Sequence, residues 1–279
     1  MPLVHDTYGK GRVRVMRVRR DTERHEVREL TVKVMLKGAF APAFTSADNR
    51  SVVATDTIKN IVNIVASEQV GAENEVFCGA LAQRYLDRYA HVEQVTVTAL
   101  ETKWTRLAVD GAPHPHSFVL DGNGKASMEV VATREGAVTR SGVDGFTFLK
   151  STGSGWENYW MDEYTTIPET ADRICSTSMN ASWTWSARPA SFEAANARIL
   201  DTVLGVFATT YSYGVQDSLY RMGEAALAAV PEIADVSMAC PNKHYLLINL
   251  KPFDIENGNQ VFVPTDEPHG QIECRIARG

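Results

Sequence analysis

The chain has 279 residues, of which 44% are hydrophobic and 22% are charged, and its formal net charge is -6. These values fit a globular protein with one large domain or two ordinary ones, and they argue against a nucleic-acid-binding protein, which normally shows a basic face. The four cysteines lie far apart in the sequence, which excludes a CxxC metal or redox pair and indicates scattered buried thiols in a reducing compartment.

The first half of the chain begins with a segment in which basic residues alternate with valines. Alternation with a period of two predicts a half-buried antiparallel strand, and we expect its basic side chains to lie on a solvated face. The basic residues concerned are Lys10, Arg12, Arg14, Arg17, Arg19 and Arg20. Further along, apolar residues at helical spacing, such as Ile58, Ile61 and Val65, predict two helices. The predicted elements are strands at about 11–19 and 27–36, helices around 58–65 and 77–85, and strand-like segments at about 95–107 and 117–133, the last with a turn at 121–124.

The second half repeats this order of elements. A helix is predicted after Pro189, with Ser191 as its N-cap and apolar residues such as Ile199 and Val203 on its inner face. The segment Asp-Glu-Pro-His-Gly at 266–270 has the composition of a turn. The predicted elements are strands at about 146–151 and 174–186, helices around 192–203 and 217–230, and strands at about 245–250 and 271–276.

The order of elements is ββααββ written twice, with a boundary near residues 136–145. It predicts an α+β fold of two tandem units, residues 1–140 and 141–279, each with an antiparallel sheet and a helix pair on one face. Such a sheet leaves strand edges unpaired. Exposed edges are usually closed by pairing with another chain, so we expect the protein to form oligomers.

The two ends of the chain bear on its location. The first residues lack the apolar segment of a secretory signal, and Ala277-Arg278-Gly279 differs from the Ser-Lys-Leu peroxisomal address. No apolar run approaches the ~20 residues that cross a bilayer. We therefore expect a cytoplasmic protein that contacts neither membrane nor nucleic acid.

Particular segments identify a family. Lys10 ends a Tyr-Gly-Lys sequence, and Gln216 lies within YGVQDSLY. The other segments are VVATDTIKN at 52–60, LKST at 149–152, DEYTT at 162–166, Asp-Arg-Ile at 172–174 and PNKHY at 241–245. In this order and spacing, from about residue 8 to residue 270, the chain resembles the urate oxidase family.

The resemblance implies a fold, a reaction and an assembly. The fold is the tunnelling fold, built from tandem ββααββ units. The reaction is the oxidation of urate by O2 and water to 5-hydroxyisourate and hydrogen peroxide, without a metal or an organic cofactor. The assembly is a homotetramer with active sites at subunit interfaces.

The resemblance also implies which residues move protons. Lys10, Thr55 and His244 match the members of the family's proton relay. A threonine hydroxyl is a poor base alone, and it acts as a relay only between groups that titrate near neutral pH. Asp56 matches the position whose backbone N–H meets the urate ring, and Thr55 also contacts the substrate.

Further matched residues would hold urate, a flat monoanion with donors and acceptors on every edge. Arg173 matches the bidentate cation and Gln216 the amide on the opposite edge, which suits a fixed fork and a mixed donor–acceptor group. Val215 lends a backbone N–H, Asn242 holds oxygen or water above the ring, and Ile167 is an apolar wall. Where the family stacks a phenylalanine on the purine this chain has Trp156, whose ring can also stack.

Other interpretations remain open from the residues alone. Lys10 is also a strand-end surface charge, Thr55 an N-cap, and Arg173 a salt-bridge partner of Asp172 or Glu169. His114 and His116 form an HxH pair, a spacing that can bind metal, although no third ligand is evident. The alternative functions are a non-catalytic purine-binding protein and another tunnelling-fold enzyme of purines or pterins, whose zinc-using members need a Cys and His cluster.

Overall fold

The computed structural model describes every residue from Met1 to Gly279. The chain forms two compact units, one of Met1–Gly142 with Thr184–Glu193 and one of Val143–Trp183 with Ala194–Gly279. In chain order the elements are β1 (Tyr8–Arg19), β2 (Glu26–Gly38), α1 (Ala41–Thr45), α2 (Thr55–Glu68), α3 (Asn74–Arg88), β3 (Val92–Thr102), β4 (Trp104–Val109), β5 (Ala112–Leu120), β6 (Lys125–Thr133), β7 (Gly136–Lys150), β8 (Cys175–Trp185), α4 (Phe192–Thr209), α5 (Val215–Ala229), β9 (Ile233–Leu247) and β10 (Phe262–Ala277). The predicted α+β class is confirmed, because both halves contain strand pairs that flank a helix pair.

The first unit has a sheet in the order β1-β2-β3-β6-β7, with β1 at its edge. Leu30, Val32, Val34 and Leu36 alternate along β2 and are fully buried. The helices α2 and α3 pack on this sheet. Their predicted inner residues, which include Ile58, Ile61, Val62, Val65, Phe77, Leu81 and Tyr85, are buried in the same core. The helical spacing in the sequence therefore identified the packing face of both helices.

The predicted solvated face of β1 is wrong at Arg17, which is only 3% exposed. Its guanidinium donates hydrogen bonds to the carbonyls of Gln69 and Ala72, both 2.8 Å, and to Asn74 Oδ1 at 2.6 Å. It also lies 4.6 Å from the centroid of the Phe77 ring. Alternation from Val13 makes position 17 face inward, whatever residue occupies it. Polar groups at the turn before α3 replace the lost water, although burial still lowers the pKa of Arg17 to about 10.

The predicted pair of strands at 95–107 and 117–133 is in fact four strands. β3 pairs directly with β6, while β4 and β5 form a separate two-stranded sheet between them in the sequence. The turn of this hairpin is Asp110-Gly111, with φ of 52° and 79°. Asp-Gly between alternating residues is a strong hairpin signal, and it marks a second turn besides the predicted one at 121–124.

The second unit has a sheet in the order β7-β8-β9-β10, with β10 at its edge and α5 packed against β9 and β10. β9 begins at Ile233, well before the predicted start near 245, because Ala234 and Asp235 separate Ile233 from the alternating, buried Val236, Met238 and Cys240. β10 includes the segment at 266–270. This predicted turn is a bulge inside the strand, where pairing shifts between Thr265 and Gly270.

Helix α4 begins directly after the predicted cap, Ser191. A carboxylate from elsewhere in the first unit holds this start: Glu73 accepts hydrogen bonds from the Ser191 hydroxyl at 2.6 Å and from the N–H groups of Phe192 and Glu193 at 3.1 Å. A carboxylate at this position satisfies otherwise unpaired N–H groups and complements the helix dipole.

All four cysteines are free thiols, and Cys78, Cys175 and Cys240 are buried while Cys274 is half-buried. Burial raises the pKa of both the Cys78 and the Cys240 thiol to about 12. The prediction of scattered buried thiols is therefore confirmed for three of the four. Separately, none of the helices combines the length and the apolar character needed to cross a bilayer.

Candidate active site

The residues that the sequence assigns to a site are divided between the two units. The first unit holds Lys10, Thr55 and Asp56. The second unit holds Trp156, Ile167, Arg173, Val215, Gln216, Asn242 and His244. The second group contains every residue with an aromatic, amide or guanidinium side chain, and the first contains the lysine and threonine.

In the first unit, Lys10 and Asp56 lie near each other where β1 packs against α2. Lys10 pairs with Val34 at the point where the β1 register shifts, and such a bulge changes the direction of the side chains beside it. The Lys59 ammonium donates a 2.6 Å hydrogen bond to Asp56 and is the main cause of the lowered pKa of that carboxyl. The charge of Lys10 adds to the same effect.

The start of α2 presents unpaired backbone groups. Ala54 is the N-cap and makes no side-chain capping bond, and Thr55 is the first helical residue with an exposed side chain. The alternative of an N-cap role for Thr55 is therefore wrong. N–H groups in the first turn of a helix have no partner within the helix, so this end favours an anion.

In the second unit, the Trp156 indole is the centre of the site. The Arg173 guanidinium carbon lies 5.8 Å from the indole centroid. The Tyr159 ring stacks on the indole, with centroids 5.4 Å apart and 11° between the planes. A flat aromatic surface and a guanidinium are thus neighbours, which suits a planar anion.

Two glycines leave room for neighbouring aromatic rings, Gly214 for Trp156 and Gly155 for Tyr211. A Cβ on Gly214 would lie 3.0 Å from Trp156 Cζ3 and 3.2 Å from Gln216 Oε1, so Gln216 is part of the same cluster. A Cβ on Gly155 would lie 2.3 Å from the Tyr211 hydroxyl oxygen. Neither glycine belongs to a motif, and the only signal in the sequence is that they directly precede Trp156 and the start of α5.

Arg173 has no carboxylate partner. Its predicted partners in the salt-bridge alternative are engaged elsewhere, since Asp172 accepts from the Thr152 hydroxyl at 2.8 Å and Glu169 from the Asn158 N–H at 2.6 Å. The Nε of Arg173 is buried without a hydrogen-bond partner, and burial lowers the pKa of this guanidinium. An unpaired buried donor is costly, and no carboxylate competes with a ligand for this guanidinium.

The start of α5 adds backbone donors to this group. Val215 is its first residue, and the N-cap Gly214 offers no side-chain bond, so the first N–H groups of the helix are open. Gln216 is exposed beside them. Ile167 belongs to the loop that follows Trp156. It is 57% exposed, so its apolar side chain is accessible to a ligand.

Asn242 and His244 lie two residues apart on β9, so they face the same side of the strand. The bulge at 266–270 in β10 lies opposite them. Burial lowers the pKa of His244, and the nearby charges of Arg173 and His269 lower it further. These effects favour the neutral form of the His244 ring over the charged one.

Comparison with known proteins assigns the chain to a family. The family model described as Uricase matches residues 6–131 and 139–273. The uricases of Cyberlindnera jadinii and Aspergillus flavus are 36% and 37% identical to the chain, over 99% and 97% of its length and 97% and 95% of theirs. The chain belongs to the uricase family. The crystal structure of uricase from Arthrobacter globiformis is 36% identical, with a TM-score of 0.94 over 100% of this chain and 95% of that one.

Membership of the uricase family accounts for the tandem ββααββ architecture, and it does not favour a pterin enzyme of the same fold. The HxH pair remains outside the uricase site. His114 and His116 contact each other edge to face at 4.7 Å, and His25 lies 5.7 Å from His116. Nowhere in the chain do three or more potential ligands take an arrangement that holds a metal ion.

Proposed function

We propose that this protein is a urate oxidase, which converts urate, O2 and water to 5-hydroxyisourate and hydrogen peroxide. The observation that carries the proposal is the uricase family match, which spans both halves of the chain and includes every residue of the candidate site. The alternative of a purine-binding protein without catalysis is disfavoured, because Lys10, Thr55 and His244 are all present.

The second-unit group would bind urate. Arg173 supplies a charged fork for a carbonyl and ring nitrogen, and its neighbours Asp172 and Glu169 are engaged elsewhere. Gln216 reads the opposite, mixed edge of the ring, and the open N–H of Val215 adds a donor. Trp156 stacks on the ring face, while Ile167 forms an apolar wall.

The relay residues would remove a proton from bound urate. Thr55 stands between Lys10 and His244 in this scheme, and the lowered pKa of His244 favours its neutral form, which has a ring nitrogen free to accept a hydrogen bond or a proton. The N–H of Asp56 and the positive start of α2 stabilise the negative charge that develops on the ring. Loss of this proton makes urate a better electron donor.

Oxygen held by Asn242 above the ring would then take electrons from the deprotonated urate. A hydroperoxide forms at C5, hydrogen peroxide leaves, and water adds at C5 to give 5-hydroxyisourate. Two electrons pass from urate to O2, which leaves as hydrogen peroxide, and the new oxygen of the product comes from water. Because urate is itself the electron donor, the reaction needs no metal or organic cofactor.

We further propose that the two groups meet between subunits of a homotetramer. Lys10, Thr55 and Asp56 of one subunit would face the second-unit group of a neighbour. The unpaired outer edges of β1 in the first unit and β10 in the second support this arrangement, since exposed edges pair readily with another chain. The four free thiols fit a location in the cytoplasm, where such groups stay reduced.

The test of the activity is direct. Purified protein in aerated buffer, with a metal chelator present, is expected to remove the ultraviolet absorbance of urate and to release one hydrogen peroxide per urate. The matched control is the same protein without oxygen, which should leave urate intact. Activity that a chelator abolishes and a single metal restores would contradict the cofactor-free reaction.

Gly214→Ala is expected to weaken urate binding by about 3- to 10-fold, on the scale of a lost contact of ~1 kcal/mol. The added Cβ would lie 3.0 Å from Trp156 and 3.2 Å from Gln216, so at least one of these groups must move. Urate KM measures the effect. Gly279→Ala is the control, because nothing lies within 4 Å of a Cβ there. An unchanged KM for Gly214→Ala would show that neither neighbour needs its present position.

A further inference from the structure

We infer that Tyr159 is the positioning residue of the stacking face: it holds the Trp156 indole from behind and ties it to the Ile167 segment. The inference deepens the proposed function and rests on it. Neither the motifs nor the resemblance assigned a role to Tyr159.

The first observation is the stack itself. Tyr159 and Trp156 lie 11° from parallel with centroids 5.4 Å apart, so the tyrosine occupies one face of the indole. A purine that stacks on Trp156 would therefore have to use the other face of the indole. Offset stacks of aromatic rings are favourable beyond the area that they bury, and this one resists rotation of the indole about its own side-chain bonds.

The second observation is the tyrosine hydroxyl, which donates a 2.7 Å hydrogen bond to the Ile167 carbonyl. One side chain thus contacts both the stacking ring and the backbone of the proposed apolar wall. Ile167 has an exposed side chain and no strand around it, so this bond fixes its place.

The third observation is that the other hydrogen bonds of this loop stay within it. The Asn158 N–H donates to Glu169 at 2.6 Å, and the hydroxyl and N–H of Thr165 donate to Asp162 at 3.2 and 3.1 Å. Trp156 and Thr170 exchange backbone hydrogen bonds of 2.7 and 3.0 Å at its base. Between them, the aromatic rings of Trp160 and Tyr164 are 87% and 83% exposed, so they supply no core. Tyr159 is half-buried, and its ring is the part of the loop that packs on Trp156.

Loss of the Tyr159 ring should weaken urate binding more than it slows the reaction steps. Without the tyrosine ring, Trp156 can turn away from the plane that a purine needs, and part of the binding energy is used to order it again. Proton transfer depends on other residues, in the relay. Loss of Tyr159 should therefore raise KM and leave kcat nearly unchanged.

The experiment compares Tyr159→Ala with Tyr159→Phe and with Trp160→Ala, which removes an aromatic ring of the same loop that is 87% exposed. Urate kinetics gives KM and kcat, and calorimetry with xanthine measures purine binding without turnover. Tyr159→Ala is expected to raise KM and the xanthine Kd by about 3- to 10-fold, the scale of an aromatic pair. Tyr159→Phe keeps the stack and should recover most of the affinity, and Trp160→Ala should resemble the wild type.

The inference fails if Tyr159→Ala leaves KM and Kd unchanged, if it lowers kcat at constant KM, or if Trp160→Ala has an equal effect. If Tyr159→Ala does not fold, Tyr159→Leu replaces it, because leucine keeps apolar bulk without an aromatic stack. The same rise in KM and in the xanthine Kd is expected for it. Wild-type protein that binds xanthine but does not consume urate would overturn the proposed oxidation, while the xanthine series would still decide the role of Tyr159.

Discussion

Replacing Lys10 by methionine is expected to lower urate turnover by ~10²–10⁴-fold, the usual cost of losing a group that moves protons. Methionine keeps the length and apolar stem of the lysine and removes its charge and its donors. Thr55→Ala should act similarly, because its hydroxyl links the other two relay groups. Both variants should still bind purines, since the residues proposed to bind the ring are Arg173, Gln216 and Trp156. Steady-state kinetics with urate and calorimetry with xanthine separate the two effects.

The matched control is Lys125→Met, which removes an exposed lysine at the start of β6 in the same unit. It should keep wild-type turnover. Normal turnover in Lys10→Met would remove this residue from the relay. Equal losses of turnover and of xanthine binding would instead give Lys10 a part in holding the substrate.

Arg173→Ala should be nearly inactive for a different reason, because it removes the charged fork that binds urate. The pair of variants then tests whether the site is shared between subunits. Lys10→Met and Arg173→Ala protein are unfolded together, mixed and refolded. In a mixed pair of subunits, one shared site carries both changes and the other carries neither. Random pairing makes about half of all pairs mixed, so about one quarter of wild-type activity should return.

Two controls accompany this experiment. Mixing the folded variants without refolding should restore little, if subunits do not exchange. Each variant refolded alone should stay inactive. Co-refolded protein that assembles normally and recovers no activity would mean that each site lies within one chain.

The sequence predicted the fold well wherever a periodic pattern coincided with burial. Ile58, Ile61 and Val65 identified the inner face of α2, and the alternation from Leu30 to Leu36 identified the buried face of β2. The prediction failed at Arg17. The sequence alone does not show that backbone carbonyls accept hydrogen bonds from this buried guanidinium, so it looks like a solvent-exposed arginine. β9 was predicted to start too late, because Ala234 and Asp235 interrupt the alternation in its first half.

The site depended on a different kind of information. Segments such as PNKHY carry roles only through likeness to a family, since a histidine on a strand has no evident purpose by itself. The structure then adds what neither pattern nor likeness contains: the buried, unpaired Nε of Arg173, and the closeness of Gly214 to Trp156. Both depend on residues distant in the sequence, and no local signal encodes them.

The buried thiols have a consequence for the durability of the protein. A urate oxidase releases an oxidant at each turnover, and hydrogen peroxide attacks cysteine as the thiolate. With pKa values of about 12, Cys78 and Cys240 hold almost no thiolate at neutral pH, and both lie beyond the reach of solvent. Packing in the core thus shields these two sulfurs from hydrogen peroxide. Oxidation of cysteine should begin instead at the half-buried Cys274.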